Sequence, residues 1–372
     1  MIGKLLLLAL GVFLILGATA CRGKIAYLGN DGNINLVNAT GTDQITLTLD
    51  ARDYFKYPVM DRISYSAPSW SWDGRYLAWR RGEEAGTYPN FTGGTSLVVF
   101  DSLTNTTKTI DLPDRKDPLF GLAWRRDRTS LYVDYTTMEG VNACFADTIK
   151  GFRIAEVDVE TGTTNTILLL EDGFFAWNIK PSPDPNLLAF YLNNYCEGLG
   201  KLCILDLTSG ERRCTAEAVG RANWSPDGQK LIFDTCFYLA EACGITILDA
   251  DTLAETAVFP RGSSVSYTNP VWSPSGDLFI YSLSRGPLGQ ESLGVWATSV
   301  DGSNTWKIDD GHFPSDPQAF SPDGRYITYT KRLSIEKSEI WIASIDGHFK
   351  TKIADGNAPV WQPKEAVPTP SQ

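Results

Sequence analysis

A ten-residue pattern recurs along this 372-residue chain, and it leaves few folds open. The clearest copies read Trp224-Ser-Pro-Asp-Gly-Gln-Lys-Leu-Ile-Phe, Trp272-Ser-Pro-Ser-Gly-Asp-Leu-Phe-Ile-Tyr and Phe320-Ser-Pro-Asp-Gly-Arg-Tyr-Ile-Thr-Tyr. Weaker copies begin at Trp70 (Trp-Ser-Trp-Asp-Gly), Trp124 (Trp-Arg-Arg-Asp-Arg) and Pro181 (Pro-Ser-Pro-Asp-Pro). A fragment, Ala358-Pro-Val-Trp-Gln-Pro363, stops where the next strand should begin. Counted from the Ser or its equivalent, the copies fall at 71, 125, 182, 225, 273, 321 and 362, with steps of 54, 57, 43, 48, 48 and 41. A period of this size with strand-type content is the signature of β-propeller blades rather than of helical solenoids.

Each copy has the same grammar. Strand a ends at the Trp or Phe. The Pro-Asp-Gly turn follows, with Pro presetting φ, Asp bonding nearby backbone and Gly accepting positive φ. Strand b is short and apolar, as in Tyr76-Leu-Ala-Trp79 and Leu231-Ile-Phe233. A variable loop leads to strand c, as in Ser96-Leu-Val-Val-Phe-Asp101 or Glu339-Ile-Trp-Ile-Ala-Ser344. A tight turn such as Thr208-Ser-Gly, Asp301-Gly-Ser or Asp346-Gly-His opens strand d. One such sheet cannot bury both of its faces, so blades are stable only against neighbours. The strand missing after residue 363 sits at the other end of the chain, as Lys24-Ile-Ala-Tyr-Leu28. Ile34-Asn-Leu-Val37 and Gln44-Ile-Thr-Leu-Thr48 complete that unit, and strand a comes from residues 358–361. The expected fold is therefore all-β: a seven-bladed β-propeller of four-stranded antiparallel blades over residues 21–363. N-terminal strands pairing with a C-terminal strand would close it and remove the free sheet edges.

The Trp-Ser-Pro-Asp-Gly-x-x-Leu/Ile-x-Phe/Tyr units resemble the WD40-like repeats of the TolB family, also called PD40 repeats. The resemblance covers nearly the whole mature chain, most clearly at 224–233, 272–281 and 320–329. It implies a propeller and says little about function, because the same repeats occur in peptidase propellers, sugar-lyase propellers and many envelope proteins. TolB itself has a globular α/β domain ahead of six blades. This sequence has no room for that domain and reads as seven blades, so the Tol-Pal role is not assigned.

Residues 1–20 read as an export signal. Lys4 supplies the positive region, and residues 5–20 form an apolar run shorter than the roughly 20 residues a bilayer span needs. Leu16-Gly-Ala-Thr-Ala-Cys21 resembles a lipobox, with lipidation expected at Cys21; Ala18-Thr-Ala20 also fits an ordinary signal-peptidase site at the same bond. The expected location is an exported, membrane-anchored lipoprotein facing the periplasm or cell exterior. Removing Cys21 from the seven cysteines leaves an even set: 144, 196, 203, 214, 236 and 243. In an exported chain these read as disulfides, and the blade grammar pairs Cys203 with Cys214, Cys236 with Cys243 and Cys144 with Cys196. Metal binding is the weaker reading, since no Cys-x-x-Cys occurs and the chain has only 2 His. The polar, Pro-rich residues 364–372 read as a disordered tail.

The formal charge is −11, and loss of Lys4 with the signal leaves 32 basic residues against 44 acidic ones. That argues against nucleic acid and against docking on anionic lipid, leaving the N-terminal lipid as the membrane contact. No Gly-x-Ser-x-Gly elbow, Walker loop, dinucleotide fingerprint or EF-hand loop occurs. No cofactor and no metal are expected; sugar lyases on similar seven-bladed rings use a His-rich manganese site, and His312 and His348 cannot supply one. The Asp residues of the turns read as turn formers, and the repeated Trp as packing between blades.

Loops on one face carry the aromatic residues that suit a partner. Residues 49–67 and 81–95 read as long irregular loops on that face. Tyr54, Phe55, Tyr57, Tyr88, Phe91, Phe175, Tyr238 and His312 form the candidate binding face. Two functions stay open. One is a lipid-anchored, non-enzymatic envelope scaffold for a protein or surface glycan. The other is a carbohydrate lyase or hydrolase using loop carboxylates at the channel mouth, with Asp309, Asp310, Glu83 and Glu84 as first candidates.

Overall fold

The computed structural model describes residues 23–87, 90–112, 119–126, 129–138, 149–194, 200–216, 220–236, 242–262, 264–286, 291–310, 318–334 and 336–363. Cys21, Tyr88, Cys144, Cys196, Tyr238 and His312 lie outside them, and so do the expected signal and tail and the Cys144–Cys196 pairing. All regular structure among the described residues is β. Four sheets have four antiparallel strands each. The first holds Leu119–Trp124, Ser130–Met138, Ile149–Asp158 and Thr164–Leu169, and the second Phe174–Pro181, Leu187–Asn194, Lys201–Asp206 and Arg212–Cys214. The third holds Ala222–Trp224, Lys230–Asp234, Ile245–Asp249 and Glu255–Phe259, and the fourth Val265–Trp272, Leu278–Arg285, Glu291–Ser299 and Thr305–Asp309.

The turn between the first two strands explains why the repeat is written as it is. Ser225 Oγ donates to Asp227 (2.6 Å) and accepts from the Lys230 amide (2.9 Å), while the Gly228 amide closes the turn on Ser225 O at 3.0 Å. Gly228 sits at φ +73°, where a side chain would be strained. The same bonds recur from Ser71 to Asp73 and from Ser321 to Asp323. Where the third residue after the Trp is Ser275, the carboxylate comes instead from Asp277, bonded by Ser273 Oγ at 2.9 Å and Ser275 Oγ at 2.5 Å. Each of these carboxylates spends its Oδ1 inside the turn.

A seven-stranded sheet joins the two ends of the chain. Its order runs Ala319–Phe320, Tyr326–Arg332, Ser338–Ser344, Lys350–Trp361, Lys24–Gly29, Ile34–Asn38, Ile45–Thr46. Residues 350–355 pair back onto Ser338–Ser344, and the same strand runs on to pair Trp361 with Ile25 and Val360 with Ala26. Strand alternation then sends Ile25 and Tyr27 to one side and Ala26 to the other.

Among the described residues the apolar core divides into clusters, each shared by neighbouring units of the repeat. Ala26, Ile34 and Leu36 pack against Trp70, Leu77 and Trp79. Ala78, Leu97 and Val99 pack against Trp124, Leu131 and Val133. Tyr132, Phe152 and Ile154 meet Leu188, Phe190 and Cys203. Tyr191, Leu202 and Ile204 meet Leu231, Phe233 and Leu248. Ile232, Ile245 and Ile247 meet Trp272, Phe279 and Tyr281. Ile280, Val295 and Ala297 meet Ile327, Tyr329 and Ala343. Ile340 and Ile342 meet Ile25, Tyr27 and Val37. Two of the repeated Trp residues also bond across these seams: Trp124 Nε1 donates to Ser69 O and Trp224 Nε1 to Lys180 O, both at 2.8 Å. Disulfides join Cys203 to Cys214, directly opposite across a strand pair, and Cys236 to Cys243.

The remaining sheet departs from the expected layout. Residues 49–67 and 81–95 are not irregular loops. Tyr76–Thr87 and Asn90–Asp101 pair along their full length, from Tyr76↔Asp101 to Thr87↔Asn90. The first four residues of Tyr76–Thr87 are buried, and the strand then leaves the core. Its outer half pairs with Val59–Tyr65, which pairs in turn with Arg52–Lys56. The result is a four-stranded β-arm built from two hairpins. Gly density in 81–95 reads locally as loop, but the pairing needs it: a Cβ on Gly93 would lie 2.0 Å from Glu83 O.

Trp224 separates two effects at a seam. Trp224→Phe should lower stability by about 1 kcal/mol through the lost indole bond, and Trp224→Ala by about 3 kcal/mol. Urea unfolding of the mature chain measures both; an unchanged stability in Trp224→Phe would show that the hydrogen bond contributes nothing.

Candidate functional site

The arm gathers the three most exposed aromatic residues among those described. Arg52–Lys56 is an edge strand exposed on both faces. Its aromatic residues Tyr54 and Phe55 are 51% and 61% exposed, and the turn that follows adds Tyr57 at 70% and Val59 at 41%. Aromatic and β-branched residues favour strands, which is why the segment pairs although it buries little. Ion pairs brace the arm: Arg52 with Asp61 (2.8 Å), Arg81 with Asp50 (3.1 Å) and Glu83 (2.7 Å). Such exposed pairs contribute little stability, and their effect here is to fix register. Phe91 falls opposite Gly86 in the same arm.

The other candidate residues divide differently. Phe175 is half-buried and packs on the cluster around Phe152 and Phe190. Trp177 stacks on Tyr191 at 4.9 Å, and Tyr267 on Phe259 at 4.4 Å. The structure thus brings Tyr54, Phe55 and Tyr57 together and assigns Phe175 to packing.

Three of the four candidate carboxylates are engaged. The Asp309 side chain is 1% exposed and takes bonds from Lys331, Lys350 and Tyr329 Oη. Burial opposes its ionisation, but the two ammonium groups and the phenol outweigh it and hold its pKa at about 2. Asp310 pairs with Lys307, and Glu83 with Arg81. His348 lies in an exposed turn with its amide on Asp346 at 3.0 Å. Among the described residues no group of three or more His, Cys, Asp or Glu is placed to hold a metal ion.

A set of buried polar groups escaped the sequence reading. Arg80, Asp134, Tyr191, Asp234, Ser282 and Thr330 occupy one repeat position, just after the last large apolar residue of the second strand. Aligning the copies column by column would have exposed it. Asp134 and Asp234 are buried there. Asp134 accepts from the Gly121 amide, and Asp234 from the Asn269 amide at 2.9 Å. Gly121 and Asn269 lie at the register shifts of the first strands of their sheets, so these carboxylates tie down the bulges. Burial pushes their pKa values up to about 7 and about 6. A further cavity of about 540 Å³ opens where the first strands of five units converge, lined by Trp70, Trp124, Trp224 and Trp272 among others.

No family model matches the chain, and no curated protein matches it. Its fold is shared by several solved structures. An oligogalacturonate lyase in complex with manganese superposes with a TM-score of 0.61 at 14% identity, over 90% of this chain and 86% of that one. An oligogalacturonate lyase from Vibrio parahaemolyticus gives 0.57 at 16% identity, over 87% and 91%. TolB from Acinetobacter baumannii gives 0.52 at 17% identity, over 82% and 83%. At such identities the likeness is one of fold: an all-β chain of antiparallel sheets like those of β-propellers.

The raised carboxyl groups carry a sign. A folded pKa above the ordinary Asp value of about 3.9 means stability is greatest below that value and is lost as pH rises through about 6 to 7. Asp134→Asn should flatten the fall in melting temperature between pH 4 and pH 7. An unchanged slope would show that this burial does not set it.

Proposed function

We propose that this chain is a lipid-anchored, non-enzymatic scaffold of the cell envelope, a seven-bladed ring that presents the β-arm to a protein partner. Several observations support the ring. The apolar clusters link consecutive units and return from the last unit to the first, and the strand Lys350–Trp361 serves two neighbouring units at once. Two disulfides suit an oxidising, exported location, and no described helix is long and apolar enough to cross a membrane. Acylation at Cys21 would supply the anchor, with residues 1–20 removed and 364–372 left as a tail. A third disulfide between Cys144 and Cys196 belongs to the same reading.

The observation that carries the function is the exposure of Tyr54, Phe55, Tyr57 and Val59 on one projecting edge hairpin. Tyr and Phe supply much contact area at low conformational cost, and they dominate protein interfaces. An edge strand adds free backbone donors and acceptors for a partner's own strand. Three of the four carboxylates of the carbohydrate-active reading, Asp309, Asp310 and Glu83, are paired with lysine or arginine, which favours binding over catalysis.

The test is affinity capture of the acylated protein from mildly solubilised envelope, with cross-linking and mass spectrometry. One envelope protein should cross-link to residues 50–60, and Y54A/F55A/Y57A should abolish its capture without changing the melting temperature. Capture by the triple variant at the wild-type level would overturn the assignment of the arm.

A further inference from the structure

Two neighbouring units break the repeat at the same place, and the replacements touch. The residue after Ser in the turn is Pro in the clear copies (Pro226, Pro274 and Pro322), but Trp72 in one unit and Arg126 in the next. Arg126 lies over the Trp72 ring at 5.1 Å, and Trp72 Nε1 donates to Trp124 O at 2.9 Å. Trp72 remains 43% exposed, which no packing role requires. Together they wall a groove of about 580 Å³ between the two sheets, within the size range of small-ligand sites.

The lining has mixed polarity. Arg126 and Asn165 offer donors, whereas the Thr163 hydroxyl donates to Thr161 Oγ1 at 2.9 Å and can only accept. Asp73 spends Oδ1 on Ser71 Oγ and the Arg75 amide, and Asp158 spends Oδ1 on the Glu160 and Thr161 amides. Their Oδ2 atoms have no hydrogen-bond partner among the described residues and remain as acceptors. Glu156, on the same wall, is held by Arg125 at 2.9 Å, whereas Arg126 has no carboxylate partner among the described residues. Three carboxylates against two guanidinium groups disfavour an anion. An exposed indole face beside paired donors and acceptors fits the apolar face and vicinal hydroxyls of a sugar ring.

We infer that the groove between Trp72 and Arg126 binds a neutral oligosaccharide. It lies at the turn end of Tyr76–Thr87, whereas the arm lies at the far end of that strand. The site is therefore separate from the protein-binding surface.

Calorimetric titration of the mature protein with cellotriose, chitotriose and maltotriose tests this, with trigalacturonate as the anionic counterpart. At least one neutral trisaccharide should bind one to one, with affinity at least tenfold weaker in both Trp72→Ala and Arg126→Ala. Trp72→Pro, which installs the residue of the clear repeats, should show the same loss with the fold kept, and exposed Arg126 gives a variant that does not disturb a core. The Y54A/F55A/Y57A variant should bind the sugar as wild type does, so failure of the arm assignment leaves this result standing. Binding of none of the three neutral sugars, binding of trigalacturonate alone, or undiminished affinity in Arg126→Ala would overturn the inference.

Discussion

Each sheet in this chain is apolar on two faces, and no sheet can keep both out of water alone. Alternation along Lys24–Gly29 makes the point at the scale of one strand: Ile25 and Tyr27 serve one seam, Ala26 the other. The hydrophobic contribution, roughly 25 cal/mol per Å² of apolar surface, is thus made between units rather than within them. Everything else follows from that arrangement. Turns must be tight and self-satisfied, hence Ser, Asp and Gly at fixed offsets. Indole groups must sit where strands of neighbouring units meet. A terminal sheet without its neighbour would expose a full apolar face, so the two chain ends are brought into one sheet.

Much of this was legible because the repeat is local chemistry. The turn at Ser225 needs a carboxylate two residues on, and the sequence shows Asp227. Even the exception at Ser275 is legible, since Asp277 takes over. The arm was hidden because its cause is not local. Glycines at 82, 86, 93 and 94 signal a loop in isolation, yet Gly93 permits close pairing with Glu83, and Gly82 permits it with Ser64 once Val59–Tyr65 docks alongside. The expected face was only partly recovered: Tyr54, Phe55 and Tyr57 share the arm, while Phe175 fills a seam. Asp134 and Asp234 were missed for a different reason, since a carboxylate ending an apolar strand looks like a surface residue until its amide partner is known.

The two proposed surfaces use the scaffold in complementary ways. Strand extension past the core produces a projecting edge, suited to a partner that supplies its own backbone. Substitution within the turn produces a recess, suited to a small polar ligand. Both leave the seams untouched, so a chain of repeated sheets can carry binding surfaces without loss of packing.

Native-state hydrogen exchange across the full mature chain tests the account most directly. If mutual burial around a closed ring holds the fold together, amides in Lys24–Gly29 and in residues 356–361 will exchange only by global unfolding. They will then show the same opening free energy as Leu187–Asn194, on the other side of the chain. Opening of the terminal pairing at a free energy several kcal/mol below that of Leu187–Asn194 would contradict the account.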